Sequence, residues 1–236
     1  MDKRKNVAVI IPAYNEGKGI SSLIKSILIK EVTVVVVDDG STDETYETAK
    51  NSGAYALRNE VNGGKGASII KGIRWCLEKG HAPVILMDAD GQHVPDKIDD
   101  FIKEYEEKNL DLIIGTRMKK TDAMPIVRLI TNRFMSWFTS MFIGVPLSDT
   151  QCGFRLYSKK TMQMHNQIEF KCLRFDYDSE VLFYASKMDL SIGEIDVPTV
   201  YLKDRKSRIN PLIDTIRWIK ALIFMKRRIL HLKKLK

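Results

Sequence analysis

Two aspartates separated by one residue and followed by an amide, Asp88-Ala89-Asp90-Gly91-Gln92, form the grouping in this 236-residue chain best suited to chemistry. On an extended backbone alternate side chains point the same way, so both carboxylates share one side with the Gln92 oxygen in reach. Such oxygen donors suit Mg²⁺ or Mn²⁺, which takes one or two carboxylates and fills its remaining positions with substrate phosphates. A D-x-D also arises by chance in acidic loops. Its place at the end of an apolar run favours the metal reading.

A second acidic pair, Asp38-Asp39, closes a run of four valines. Ser41 or Thr42 with an acid two or three places on is a helix-capping signature. Capping leaves unexplained two adjacent carboxylates at the end of a buried strand, where one of them needs a partner. A ribose or base, offering hydroxyls or ring N–H groups, would satisfy both. Asn62-Gly63-Gly64-Lys65-Gly66 fails as a P-loop, which needs Gly at Asn59 and Ser or Thr at Gly66. It also fails as a dinucleotide fingerprint, which needs Gly at Ile69. Two readings stay open: a loop whose N–H groups and Lys65 approach a diphosphate, or an ordinary turn.

The elements that must carry these groups are short β-branched runs at 7–11, 33–38, 54–58, 84–88 and 112–115, alternating with helical patterns at 20–29, 43–51, 67–79 and 95–108. That alternation predicts an α/β fold with a mostly parallel sheet covered by helices on both faces. Ligands of such sheets bind beyond the carboxyl ends of the strands. There stand Pro12-Ala13-Tyr14-Asn15-Glu16, the two acidic clusters and Gly115-Thr116-Arg117. Beyond Arg117 the pattern gives a Met- and aromatic-rich helix, a strand at 154–157, a helix near 179–187, a strand near 191–201, and a basic amphipathic helix beside Pro211. One domain over 1–210, with 211–236 as its helical extension, is the expected organisation.

Taken together and in this order, Pro12 to Glu16, Asp38 to Asp43, Asn62 to Gly72, Asp88 to Gln92, Gly115 to Arg117 and Asp149-Thr150-Gln151-Cys152-Gly153-Phe154-Arg155 resemble glycosyltransferase family 2. Within it the likeness is to the dolichol-phosphate mannosyltransferase-like, polyprenyl-phosphate branch. The resemblance implies a GT-A fold, a GDP- or UDP-linked sugar donor, an inverting reaction and a divalent metal. It implies that Pro12, Tyr14, Glu16 and Asp39 contact the nucleoside and Asp88 the donor ribose or sugar. Asp90 with Gln92, and Asp88 beside them, would hold the metal, and Glu180 would lie near the donor sugar. Arg117 and Arg133 would hold an acceptor phosphate, with Gln151 beside them. Segment 201–211, with Arg205, Ser207 and Arg208, resembles a loop that closes over the donor phosphates. Gly91 is a mild departure from the family pattern.

The acceptor follows from chemistry. A lipid phosphate is already an anion and needs no general base, whereas a sugar hydroxyl needs a carboxylate to take its proton, and Asp149 is the first candidate. The helix from Pro125 repeats Ile126, Ile130, Phe134, Trp137 and Met141 on one face and has no acid from Ala123 to Leu147. That stripe suits core packing or, given its aromatic content, lipid. From Lys203 to Lys236 twelve basic residues face two acids, while the other 202 residues hold 26 basic and 28 acidic side chains. A neutral body with a basic, striped tail predicts an anionic membrane surface as partner.

No stretch reaches the roughly 18 uncharged apolar residues of a spanning helix, and Met1 to Lys5 lead directly into a strand too short for a signal peptide. Three cysteines, none in a C-x-x-C pair, argue against a disulfide framework or zinc ribbon. The expectation is a cytoplasmic protein held peripherally at the cytoplasmic face of a membrane. A sugar nucleotidyltransferase would show a glycine- and arginine-rich loop where Pro12 to Glu16 stand. A nucleic-acid binder would leave the strand-end acids unexplained, since carboxylates repel phosphate, so no nucleic-acid partner is expected.

Overall fold

The structure, a computed structural model, describes residues 3–119, 121, 124–174, 176–198, 218–220, 223 and 225. Valine-rich runs form the middle of a seven-stranded sheet. Its strands are β1 (Ala8–Ala13), β2 (Thr33–Asp38), β3 (Tyr55–Arg58), β4 (Val84–Leu86), β5 (Leu112–Thr116), β6 (Arg155–Tyr157) and β7 (Ile192–Asp196), in the order β3-β2-β1-β4-β6-β5-β7. All neighbours pair in parallel except β6, which runs antiparallel to both β4 and β5. The four valines of β2 are buried because helices cover both faces of a parallel sheet.

The covering helices are α1 (Gly17–Leu28), α2 (Thr45–Asn51), α3 (Lys65–Lys79), α4 (Lys97–Lys108), α5 (Ile126–Ile143), α6 (Lys159–Gln167) and α7 (Tyr177–Lys187). Ile20, Leu23, Ile24 and Ile27 form the buried stripe of α1. In α3, Gly72 lets the helix lie close on the sheet: a Cβ there would stand 2.7 Å from Ile10 and 3.3 Å from Val37.

Helix α6 is absent from the sequence expectation. Met162 and Met164, two apart, break the helical apolar period. The helix is set instead by Ser158, whose side chain accepts the Thr161 N–H at its N-terminus. Its buried His165 lies between the rings of Phe170 and Tyr157. Its Nδ1 meets the Thr161 carbonyl at 2.8 Å and its Nε2 the Tyr177 hydroxyl at 2.7 Å. With the ring donating through Nδ1, Nε2 accepts from Tyr177 and the imidazole is neutral.

Burial lowers the His165 pKa from 6.5 to about 4, against the pull of the Thr161 carbonyl. The unfolded chain therefore binds a proton that the folded chain refuses. Stability is complete above the unfolded value near 6.5 and declines as pH falls towards 4, by up to about 3 kcal/mol. Melting temperature against pH will show this slope, and His165→Gln, less stable at neutral pH, will flatten it.

Helix α5 is built inside out. Its buried residues are Asn132, Ser136, Thr139 and Ile143, while Ile126, Val127, Ile130, Phe134, Trp137 and Met141 are all more than half exposed. Of the basic tail helix only five positions fall among the described residues. They are helical, with Trp218 and Met225 buried and Ile219 and Ile223 exposed. Trp218 packs edge-on against Phe138 of α5 at 5.5 Å. Arg205, Ser207 and Arg208 lie outside the described residues. No described helix is long and apolar enough to cross a membrane.

Candidate active site

The loops after β1, β2, β4 and β5 meet at the carboxyl edge of the sheet. On one side Pro12 and Tyr14 are half-buried and Glu16 is buried. This loop is stitched to the one after β2. The N–H of Asn15 donates to the Ser41 hydroxyl at 2.9 Å, the Asn15 side-chain oxygen accepts the Thr42 N–H, and the Glu16 N–H donates to Thr45 Oγ1 at 2.8 Å.

Of the two acids after β2, Asp39 is satisfied by the protein itself, while Asp38 keeps one buried oxygen, Oδ2, without a hydrogen bond. Asp38 accepts the Ser41 N–H and lies 3.2 Å from Arg58 Nε. Asp39 takes the side-chain amide of Asn59 at 2.8 Å, the N–H groups of Gly63 and Gly64 at 3.0 and 2.8 Å, and the Ser68 hydroxyl at 3.1 Å. Burial of Asp39 therefore calls for no nucleoside. Its carboxylate anchors the glycine loop.

The same contacts correct the phosphate-cradle reading. The N–H groups of Gly63 and Gly64 are spent on Asp39, and that of Gly66 on the Leu173 carbonyl at 2.9 Å. Lys65 turns inward. Its Nζ is 2.7 Å from Asp88 and 3.5 Å from Asp178. Burial opposes this charge, but Asp178 and Asp88 outweigh it and hold the lysine pKa above its ordinary value. Asp88, despite burial, is held down at about 2 by Lys65. Behind Asp178 stands the fully buried Arg155, 3.6 Å away, which also donates to the carbonyls of Thr150 and Cys152.

This alternating chain of charges needs Gly153. A Cβ there would come within 2.5 Å of both Asp88 Oδ2 and Lys65 Nζ. Asp178 and Arg155 were not singled out as site residues by sequence, although both stand in motifs that were: Asp178 is two residues before Glu180. Positions two apart on a helix point in different directions. Asp178 faces Lys65, whereas the fully buried Glu180 accepts the N–H groups of Lys171 and Cys172 at 3.0 and 2.8 Å. That differs from a contact with the donor sugar.

Beyond Asp88 the chain turns through Gly91 at φ 71°, a conformation glycine adopts without strain, and Asp90 Oδ1 accepts the Gln92 N–H at 2.9 Å. His93, also missed although adjacent to the motif, is buried with its ring stacked on Phe154 at 5.0 Å. Its Nδ1 accepts the Asp88 N–H at 3.3 Å. Burial lowers its pKa against the pull of Asp88 and Asp90, which suits this acceptor role.

A hard cation fits here with fewer protein ligands than the sequence suggested. Asp90 and Gln92 offer oxygens at the strand end, but Asp88 is committed to Lys65. Among the described residues no three His, Cys, Asp or Glu side chains converge as a metal cage. Two protein oxygens completed by a diphosphate is a usual Mg²⁺ arrangement.

On the opposite side Arg117 and Asp149 form a buried two-pronged pair, with Nε to Oδ2 at 2.6 Å and Nη2 to Oδ1 at 2.8 Å. The Arg117 N–H donates to the same carboxylate at 3.1 Å. Asp149 is fully buried, and its oxygens are spent on Arg117. A general-base role does not fit this geometry: the carboxylate orients a cation. Gln151 is half-buried, its amide donating to Thr150 Oγ1 at 3.1 Å. Ser136 of α5 accepts the Thr150 N–H at 2.9 Å, so α5 is tied to this loop, and Arg133 lies exposed on that helix.

A family model, "Glycosyl transferase family 2", matches residues 8–164. The chain belongs to glycosyltransferase family 2. It is thus a glycosyltransferase. Among its relatives is a UDP-N-acetylglucosamine–dolichyl-phosphate N-acetylglucosaminyltransferase of Methanococcus voltae, 30% identical over 86% of this chain and 89% of that one. Another is an undecaprenyl-phosphate mannosyltransferase of Micrococcus luteus, 26% identical over 90% and 93%. The fold matches glucosyl-3-phosphoglycerate synthase from Mycobacterium tuberculosis with a TM-score of 0.71 at 18% identity, over 93% of this chain and 79% of that one. The α/β fold is therefore of the GT-A kind. That synthase has been solved with Mn²⁺ and UDP-glucose and with Mg²⁺ and UDP.

Proposed function

We propose that this glycosyltransferase moves a sugar from a GDP- or UDP-linked donor to the phosphate of a polyprenyl or dolichyl lipid, working from the cytoplasmic face of a membrane. The observation that carries this reading is α5. It ties its polar face to the loop bearing Asp149 and turns Phe134 and Trp137 outward. The helix tied to the loop that orients Arg117 thus presents to solvent a surface suited to lipid. The names of the two relatives point the same way.

In this reading a lipid phosphate oxygen attacks the anomeric carbon as the bond to the donor diphosphate breaks, with inversion. The nucleophile is already an anion, so no base is needed, in keeping with an Asp149 spent on Arg117. Arg117, with Arg133 and Gln151, receives the acceptor phosphate, while Pro12, Tyr14 and Glu16 border the nucleoside. Lys65 keeps Asp88 ionised and in place for the donor sugar. Asp90 and Gln92 would hold a Mg²⁺ or Mn²⁺, which would supply positive charge to the leaving diphosphate.

The test is transfer from a panel of UDP- and GDP-sugars to polyprenyl phosphate in anionic liposomes. Phe134→Glu/Trp137→Glu will lose sedimentation with the liposomes and transfer to the lipid, yet keep the thermal shift with nucleotide and Mn²⁺. High salt will release the unmodified protein, since each tail cation near the surface contributes about 1 kcal/mol that screening removes. Undiminished liposome binding by the double variant would remove α5 from the membrane surface and bring a soluble acceptor forward.

A further inference from the structure

Loop 144–154 carries Asp149, yet no helix or strand runs through it before β6 begins at Arg155. Its position comes from side chains that hold its backbone. From α5, Ser140 bonds both the N–H and the carbonyl of Leu147, and Ser136 accepts the Thr150 N–H. The two residues between are held from the other side, by Glu194 on the edge strand β7.

Glu194 Oε1 accepts the N–H of Ser148 at 2.8 Å and the N–H of Asp149 at 3.0 Å. Its Oε2 takes the Ser148 N–H and hydroxyl, both at 3.0 Å. With its proton directed to Glu194, the Ser148 oxygen accepts from Thr116 Oγ1 at 2.6 Å, and Thr116 Oγ1 in turn accepts the Met118 N–H at 3.3 Å. The ring closes through Asp149, whose carboxylate takes the backbone and side-chain N–H groups of Arg117. Residues 116–118 and 148–149 are thus clasped, with one carboxylate behind the clasp. The sheet does not need that carboxylate, because β7 pairs with β5 through backbone bonds and Glu194 merely lies opposite Ile114.

We infer that Glu194 is a positioning residue for the acceptor phosphate: by fixing the Ser148–Asp149 backbone it sets where Asp149 holds Arg117. The inference rests on the reading of Arg117 given above. It adds to that reading a residue on the far strand that never touches substrate. A cation misplaced by about 1 Å is enough to cost up to a hundredfold in rate.

The experiment is steady-state kinetics on the full chain with Glu194→Gln, Arg117→Lys and the double variant. Glutamine keeps the shape of Glu194 but turns an amide N–H towards the backbone donors. Glu194→Gln should raise KM for polyprenyl phosphate by about ten- to a hundredfold, with nucleotide affinity by calorimetry unchanged to within about twofold. Lys119→Ala, which breaks the neighbouring ion pair to Asp196 on the same strand, should change neither. If Glu194 acts through Arg117, its effect should largely vanish in the Arg117→Lys background.

A rise in acceptor KM for Arg117→Lys but not for Glu194→Gln, or fully additive effects, would overturn the role of Glu194 and leave the proposed function standing. A normal acceptor KM in Arg117→Lys would overturn the reading of Arg117 and this inference with it. Should Glu194→Gln fail to fold, Ser148→Ala removes the hydroxyl link while keeping both N–H contacts. It should raise acceptor KM several-fold with no change in nucleotide affinity, and a normal acceptor KM there would count against the inference.

Discussion

Asp90→Asn will lower sugar transfer by at least about a hundredfold, the size of effect that follows loss of a main electrostatic group around a developing charge. The fold should survive. Asparagine keeps a side-chain oxygen that can accept the Gln92 N–H, so the turn through Gly91 retains its anchor. What is lost is the negative charge that makes Asp90 a ligand for a hard cation. Donor hydrolysis should fall with transfer, since both expel the same diphosphate, and EDTA should mimic the substitution in the unmodified protein. Activity in EDTA equal to that with Mn²⁺ would remove the metal from this reaction. Asp88→Asn should behave differently: it deprives the half-buried Lys65 of its nearest partner, so the melting temperature should fall along with activity.

Asp149→Asn carries the second large effect. Breaking a buried ion pair by removing one partner typically costs about 3–5 kcal/mol, because the other charge is left without compensation. Arg117 and Asp149 are 5% and 0% exposed, so water cannot make up the loss. Denaturant unfolding will read the stability loss directly. Below the new midpoint the folded enzyme should show a raised KM for lipid phosphate with nucleotide affinity retained. A general base would give another signature, a collapse of turnover at unchanged acceptor KM. That outcome would restore the hydroxyl-acceptor chemistry that the pairing of Asp149 argues against.

The sequence by itself determined the strand and helix alternation, the edge of the sheet where chemistry belongs, and the family, because these depend on local periodicity and on motifs contiguous in the chain. Val34 to Val37 are a short β-branched run of the kind that forms a buried strand, and Asp88 to Gln92 follow a strand end by adjacency. It missed α6, whose apolar residues do not keep the helical period and whose start depends on Ser158.

Which charge meets which was decided only by the tertiary structure. Asp39 and Lys65 both looked like ligand contacts, since a buried charge demands a partner and sequence does not say whether that partner is protein or substrate. Folding brought Gly63, Gly64 and Ser68 to Asp39, and Asp88 and Asp178 to Lys65. The choice between Asp178 and Glu180 rested on the rotation of α7, and that of Asp149 on Arg117, 32 residues away. The stripe on α5 was readable as a pattern, but periodicity is the same whether a stripe faces core or solvent. Burial of Asn132, Ser136 and Thr139 showed its direction, and only tertiary contact sets that: Ser136 meets Thr150 of a loop distant in sequence.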